Sequence, residues 1–294
     1  MLGAVGFATK GLFAKKLYAH GWTFEAVQVT RMALALPLFW LWGWWRVGPV
    51  LFKAERTALL GALGAGLLCY YIGSMLDFYA LTLIDASLER VLLFSYPSMV
   101  VIAHSAIYRR WPDRRVVLAL SATYTGIIAV VSGFDLEIFR SNMKGALLVL
   151  LCATTTCTYF IASDRWTPRI GSATFTVWAM TSAGCCMFVH ALLSHHARPP
   201  AIGPADLPYL LGLVGIATVF AMLMTAEGVR RLGAQRAAVV STVGPPATIL
   251  IAVPWLGERL NLAQWFGVAL IIAGILVMEL MRTSAAPAPP PGSR

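Results

Sequence analysis

The sequence predicts an all-α integral membrane protein of ten transmembrane helices, arranged as two inverted-topology five-helix repeats around a central cavity. Three observations predict it. The chain is 59% hydrophobic and only 12% charged, far from the balance of a soluble domain. It contains ten apolar stretches of roughly the 17–25 residues that cross a hydrocarbon core as helix, where barrel strands would be about half as long and more numerous. Its second half repeats its first at a spacing of 148 residues without a gap: Ala86 falls on Ala234, Pro97 on Pro245, and Gly126-Ile127 on Gly274-Ile275.

The spans run approximately Leu2–Leu17, Ala26–Trp45, Ala58–Leu83, Ala86–Tyr108, Val116–Val131, Met143–Ser163, Ala173–Leu193, Leu207–Val229, Ala234–Leu256 and Leu262–Leu280. The first is short and interrupted by Lys10, which leaves open whether a few residues precede Met1. The second ends in Trp40, Trp42, Trp44 and Trp45, an interfacial aromatic belt. In the third, Gly61, Gly64 and Gly66 read as close helix packing rather than a nucleotide loop, since no strand precedes them. The fourth places Arg90, Pro97 and His104 seven residues apart, on one stripe of the helix. The sixth is rich in hydroxyls: Thr154, Thr155, Thr156, Thr158 and Tyr159. The ninth carries Gln235, Ser241, Thr242 and Pro245. The repeats occupy residues 1–133 and 142–281, and the Ala- and Pro-rich tail 282–294 reads as disordered.

Charge sets the orientation, because Lys and Arg resist translocation. With the amino terminus in the cytoplasm, fourteen Lys and Arg fall inside and seven outside, so both termini are expected to be cytoplasmic. The formal charge of +10 is then a topology signal and an affinity for anionic headgroups, and no nucleic-acid partner is implied. An odd number of helices per repeat inverts one copy against the other. The turn with Asp77, Asp85, Glu89 and Arg90 then faces outward, and its twin with Glu227, Arg230, Arg231 and Arg236 faces inward, as the charges require.

Motifs for other chemistry are missing. Cys69, Cys152, Cys157, Cys185 and Cys186 all lie within spans, with no disulfide framework or zinc spacing. His195-His196 sits in a loop with Arg198, Pro199 and Pro200, where a solvated external segment is expected. No nucleophile elbow, HExxH or P-loop is present, so neither a catalytic residue, a metal nor a cofactor is assigned. A membrane-embedded enzyme would need a cluster that His104 and His190, on different helices, do not form. A regulatory membrane protein would leave its inward stripes apolar, and here they carry charge.

Residues Leu211–Met278, with AEGVRRLGAQRAAVVSTVGPPATILIAVPWLGERL followed by QWFGVALIIAGILV, resemble the second repeat of the ten-helix EamA-type transporters of the drug/metabolite transporter superfamily. Pro245, Leu256-Gly257-Glu258-Arg259, Gly267 and Gly274 carry the match. Thr30-Arg31, Ala86, Tyr96-Pro97 and Gly126 carry it in the first repeat, while Arg109-Arg110 stands where the family often has Gly-Glu. The resemblance implies a multi-pass bacterial inner-membrane protein with a central cavity between its halves. It leaves open amino acids, other metabolites or drugs as solute, and export or import as direction.

Proline within a helix frees a backbone carbonyl, and equivalent breaks in two inverted halves point to a midplane site. Pro97 would free the Leu93 carbonyl and Pro245 that of Ser241. The candidate cavity lining is therefore Tyr79, Tyr96, Pro97, His104, Thr155, Tyr159, Gln235, Ser241, Thr242 and Pro245, although each Thr or Ser could bond its own helix instead. Ionisable residues within spans turn inward and seek partners. Lys10, Arg31, Asp77, Glu89, Arg90 and Glu227 are the coupling or ion-pair candidates, with Asp77 expected on Arg90 and Glu227 on Lys10 or Arg31. Arg31, near a helix end, could instead snorkel to the interface.

The expected function is secondary active transport of a small polar or amphipathic metabolite, an amino acid, amine or drug-like solute, exported by alternating access. The expected partners are that solute, the bilayer and, if transport is coupled, protons. A facilitative uniporter or an importer stays open, as does the choice between monomer and homodimer.

Overall fold

The computed structural model describes residues 2–107, 109, 114–225 and 243–284; the side chains of residues 104, 107 and 278–284 are outside that description. Every regular element among the described residues is helical. The first span is two short helices, α1 (Leu2–Ala8) and α2 (Lys10–Ala19). Thr9 separates them, its hydroxyl donating to the Gly6 carbonyl at 2.7 Å and so competing with the helical ladder. Helix α3 (Phe24–Val47) is capped by Thr23, whose Oγ1 accepts the Ala26 N–H at 3.1 Å. After a short turn, α4 (Arg56–Gly66) widens into a π-helical segment, Leu67–Gly73, and continues as α5 (Ser74–Ala80).

The fourth span is cut in two, α6 (Ala86–Leu93) and α7 (Tyr96–Ile107). Pro97 thus occupies the first turn of a new helix, where its missing N–H costs nothing. Helices α8 (Arg114–Ser132), α9 (Leu136–Ile170) and α10 (Ser172–Leu193) follow. With 35 residues, α9 is about 52 Å long and overshoots a hydrocarbon core of roughly 30 Å. The predicted sixth span is only its middle. Then α11 (Leu207–Leu211) passes into a second π-helical segment, Gly212–Phe220, and α12 (Gly244–Leu256) and α13 (Leu262–Ser284) complete the described chain.

Seven helical stretches among the described residues are long and apolar enough to cross a membrane: Phe24–Phe52, Arg56–Ala80, Ala86–Ala103, Arg114–Ser132, Leu136–Ile170, Ser172–Leu193 and Leu207–Thr225. Gly244–Leu256 and Leu262–Val277 are shorter apolar helices. The predicted first span falls outside the set because it is two short helices bearing Lys10, Lys15 and Lys16. The predicted ninth is shortened because residues 226–242 lie outside the described residues.

Five turns gather at one end of the bundle. His20 Nδ1 lies 2.6 Å from Asp206 Oδ1, and the Thr23 hydroxyl donates to the His196 carbonyl at 2.5 Å. Lys15 pairs with Asp85 at 3.5 Å. Glu258 accepts the Ala86 N–H, and Asn261 Nδ2 donates to the Gly133 carbonyl at 3.1 Å. The His20 ring and the Gly203 N–H together hold the Asp206 carboxyl below the usual carboxylate range.

Helices α8 and α13 meet backbone to backbone. A methyl group on Gly126 would come within 2.7 Å of the Gly267 carbonyl oxygen, and one on Gly267 within 2.6 Å of the Gly126 carbonyl oxygen. Glycine is what permits that approach. Val91, Leu92, Ile127 and Val130 pack there with Ile249, Val268, Ile271 and Ile275 in one buried cluster. Gly126→Ala should therefore force the helices apart and destabilise the protein by about 1–3 kcal/mol, read as a lower Tm in detergent; an unchanged Tm would contradict this packing.

Candidate functional site

The interior concentrates charge where α2, α5 and α6 meet. Lys10 Nζ pairs with Asp77 Oδ2 and lies 3.3 Å from Glu89 Oε1. The Asp77 and Glu89 side chains are only 3% and 1% exposed. Such a pair lacks water to solvate it, so each charge depends on the other. Arg31, on α3, donates from Nε to Gln28 Oε1 at 2.7 Å and from Nη2 to Ser74 Oγ at 2.9 Å, and Gln28 donates to the same Ser74 oxygen. It is turned inward rather than snorkelling. Lys10 and Arg31 both stand over the buried Phe78 ring, 5.7 and 5.3 Å from its centroid, at cation–π range.

Toward the gathered turns a cavity of about 510 Å³ opens among Tyr18, Trp22, Phe24, Glu25, Leu81 and His196. Tyr18 links it to the charged interior, its hydroxyl donating to the Phe78 carbonyl at 2.9 Å. Beyond α6, the Arg90 guanidinium lies 5.3 Å from the Phe94 ring centroid. Tyr96 stacks on Phe160 at 5.1 Å with the planes 2° apart, and Tyr159 meets Tyr70 at 4.9 Å.

A family model for EamA-like transporters matches residues 1–132 and 143–280. The chain is 32% identical over 283 residues to the uncharacterized transporter YcbK of Bacillus subtilis, covering 95% of this chain and 91% of that one. This chain belongs to the EamA-like transporter family. An uncharacterized transporter of Archaeoglobus fulgidus is 23% identical over 83% of this chain and 84% of its own. A crystal structure of a protein 18% identical in sequence shares the fold with a TM-score of 0.61, covering 96% of this chain and 98% of that one. The EamA-like chain described here is thus a multi-pass membrane protein from a family of transporters.

The site residues expected from the sequence separate into groups. Lys10, Arg31, Asp77, Glu89 and Arg90 come together, with one correction of partners: Asp77 meets Lys10 rather than Arg90, because Lys10 opens a new helix beside α5. Pro97 lies in the first turn of α7 rather than inside a continuous helix, so it marks a restart instead of one freed carbonyl, and Pro245 lies in the first turn of α12, with Ser241 outside the described residues. Tyr79 stands apart, accepting a hydrogen bond from Lys144 at 2.9 Å and packing on Phe24. Thr155 bonds the Cys152 carbonyl of its own helix at 2.8 Å, and Thr154, Thr156 and Thr158 bond their own helix in the same way. Glu227, Gln235, Ser241 and Thr242 lie outside the described residues, as does the side chain of His104.

The sequence reading named Glu258 only as part of the family match and gave it no role. Glu258, 7% exposed, accepts the backbone N–H groups of Ala86 and Ser87 at 2.7 and 3.0 Å and caps α6 from the far half of the chain. Its neighbours Asn261 and Gln264 donate to the Gly133 and Val130 carbonyls at the end of α8. The available signal was the left-handed Gly257 before it, φ 70°, which aims the carboxylate back over the helix end.

Removing Lys10 should expose how the cluster is balanced. Lys10→Met leaves two carboxylates buried without their cation and should cost about 3–5 kcal/mol, seen as a fall in Tm. The triple variant Lys10→Met, Asp77→Asn, Glu89→Gln should recover most of it; an equally unstable triple variant would contradict charge as the cause.

Proposed function

We propose that this EamA-like protein is a secondary active transporter that exports a small polar or amphipathic metabolite by alternating access. In this reading residues 1–133 and 142–281 are two inverted five-helix halves in a bacterial inner membrane, with the 282–294 tail and both termini cytoplasmic. The solute path runs between the halves past Tyr96, Pro97, Tyr159 and Pro245, and His104, Gln235, Ser241 and Thr242 are assigned to the same path. Protons couple to movement through Asp77 and Glu89, with Lys10 as the exchangeable counter-charge; Glu227 belongs to the same scheme.

The observation that carries this reading is the buried Lys10–Asp77–Glu89 triad. Two carboxylates around one ammonium in a span are costly unless the protein uses them, and a charge state that changes as a proton arrives alters which helices attract each other. The helix break before Tyr96 supports a midplane site, since discontinuous helices are the usual architecture of one, and the helix start at Gly244 falls at the corresponding position of the second half. The gathering of five alternate turns at one end supports an even number of crossings with both termini at the other end.

Proteoliposomes loaded with labelled amino acids and amines test the coupling. A pH gradient should drive net flux of at least one of them, and Glu89→Gln should abolish gradient-driven flux while leaving exchange of solute across the membrane. Flux indifferent to the gradient would make the protein a uniporter, and gradient-driven flux surviving in Glu89→Gln would remove the triad from the mechanism.

A further inference from the structure

Among the described residues, the charged interior holds one more cation than carboxylate: Lys10, Arg31 and Arg90 against Asp77 and Glu89. Lys10 is occupied by both carboxylates, and Arg31 by the oxygens of Gln28 and Ser74. Arg90 is different. It is 6% exposed, and its Nε has no hydrogen-bond partner among the described residues. The Phe94 ring lies against it and offers a cation an attractive face but accepts no N–H in the guanidinium plane, while Glu89 and Asp77 act on it through their charge without a hydrogen bond to Nε. A buried guanidinium N–H left without an acceptor is costly, and a partner that arrives and departs would satisfy it.

The direction in which Arg90 points identifies that partner. Its Nη2 is 3.5 Å from the place where a Cβ on Gly244 would sit, and two Phe94 ring carbons are 3.1 and 3.2 Å from it. Gly244 begins α12, a helix of 13 residues, so Arg90 faces the positive end of a helix dipole. Pro245 and Pro246 come next and carry no N–H, so this helix end supplies potential but few donors. Hydrogen bonding falls to the guanidinium, a planar fork that matches two oxygens of one anionic group. Two positive elements converging on one spot, with Phe94 and Tyr96 beside them 5.9 Å apart, suit a monoanion attached to an apolar or aromatic body.

We infer that Arg90 and the start of α12 form the solute's anion site, and that the solute is a carboxylate. Passage of the bound acid across the membrane rests on the transport reading, whereas binding itself is separable from it. Lys10, Asp77 and Glu89 then form a neighbouring charge set that a carboxylate at Arg90 would perturb directly, which joins solute occupancy to coupling without a long relay.

The test uses the purified full-length protein in detergent and four acids, butyrate, phenylacetate, leucine and phenylalanine, each beside its primary amide. At least one acid should raise Tm with an apparent Kd about ten-fold or more tighter than its amide, the worth of a charged hydrogen-bonded pair. Arg90→Gln should erase that preference, and Arg90→Lys should keep part of it. Should Arg90→Gln fail to fold, Gly244→Ala, which crowds Phe94 and the guanidinium while leaving the charge, should weaken the acid and spare the amide. Amide binding equal to acid binding, no response to any acid, or an undiminished preference in Arg90→Gln or Gly244→Ala would overturn the site. Reconstituted flux separates the two readings: acids that bind but do not cross remove transport and leave the site, whereas solutes that cross without acid preference remove the site and leave transport.

Discussion

Lys10 is largely withdrawn from water, its side chain 13% exposed, and three helices meet at its ammonium. Asp77 on α5 and Glu89 on α6 both approach its ammonium, so the turn between those helices and the short α2 are drawn to one point. Removing a single partner would leave an uncompensated charge, which is far more expensive than never having placed the group there. The surrounding residues behave accordingly. Phe78 lies beneath both Lys10 and Arg31, Tyr18 is fastened to the Phe78 carbonyl, and Gln28 with Ser74 absorbs the Arg31 donors.

The spacing of 148 residues recurs in the backbone itself. Helices begin at Tyr96 and at Gly244, and left-handed residues, Arg109, φ 51°, and Gly257, φ 70°, follow them at the same spacing. The π-helical segments Leu67–Gly73 and Gly212–Phe220 overlap at the same spacing, and such segments widen a helix and re-aim its side chains. Where the copies differ is informative. Glu258 caps α6, but the residue at the matching position of the first copy is Arg110, a donor that cannot cap a helix start. Gln264, which donates to the Val130 carbonyl, likewise has Val116 as its counterpart. In the proposed mechanism the Glu258 cap favours closure at its own end.

Much of this was legible in the sequence because the bilayer makes burial of charge conspicuous. Lys10, Arg31, Asp77, Glu89 and Arg90 are recognisable as interior groups from their position in apolar spans, and Pro97 with Pro245 marks the two helix starts. The pairing was not legible. Which carboxylate Lys10 meets depends on Thr9 breaking the first span and turning a new helix toward α5, a local event that hydropathy averages away. Hydroxyls misled for a related reason: Thr155 is polar in composition but satisfied by its own helix, so it announces no ligand. The role of Glu258 was invisible because an acidic residue in a turn resembles any solvated residue until the helix it caps, some 170 residues away, is placed beside it.

In the proposed mechanism the charged, buried seam at the α6–α7 break is reached from either side of the membrane in turn. Ser95 sits in that break, fully buried, and its hydroxyl has no partner among the described residues. In a variant lacking the five native cysteines, Ser95→Cys can be probed with an impermeant thiol reagent in right-side-out and inside-out vesicles. The account predicts labelling from both sides, with the ratio between sides shifted by pH. Labelling from one side only, or from neither, under every condition would contradict it.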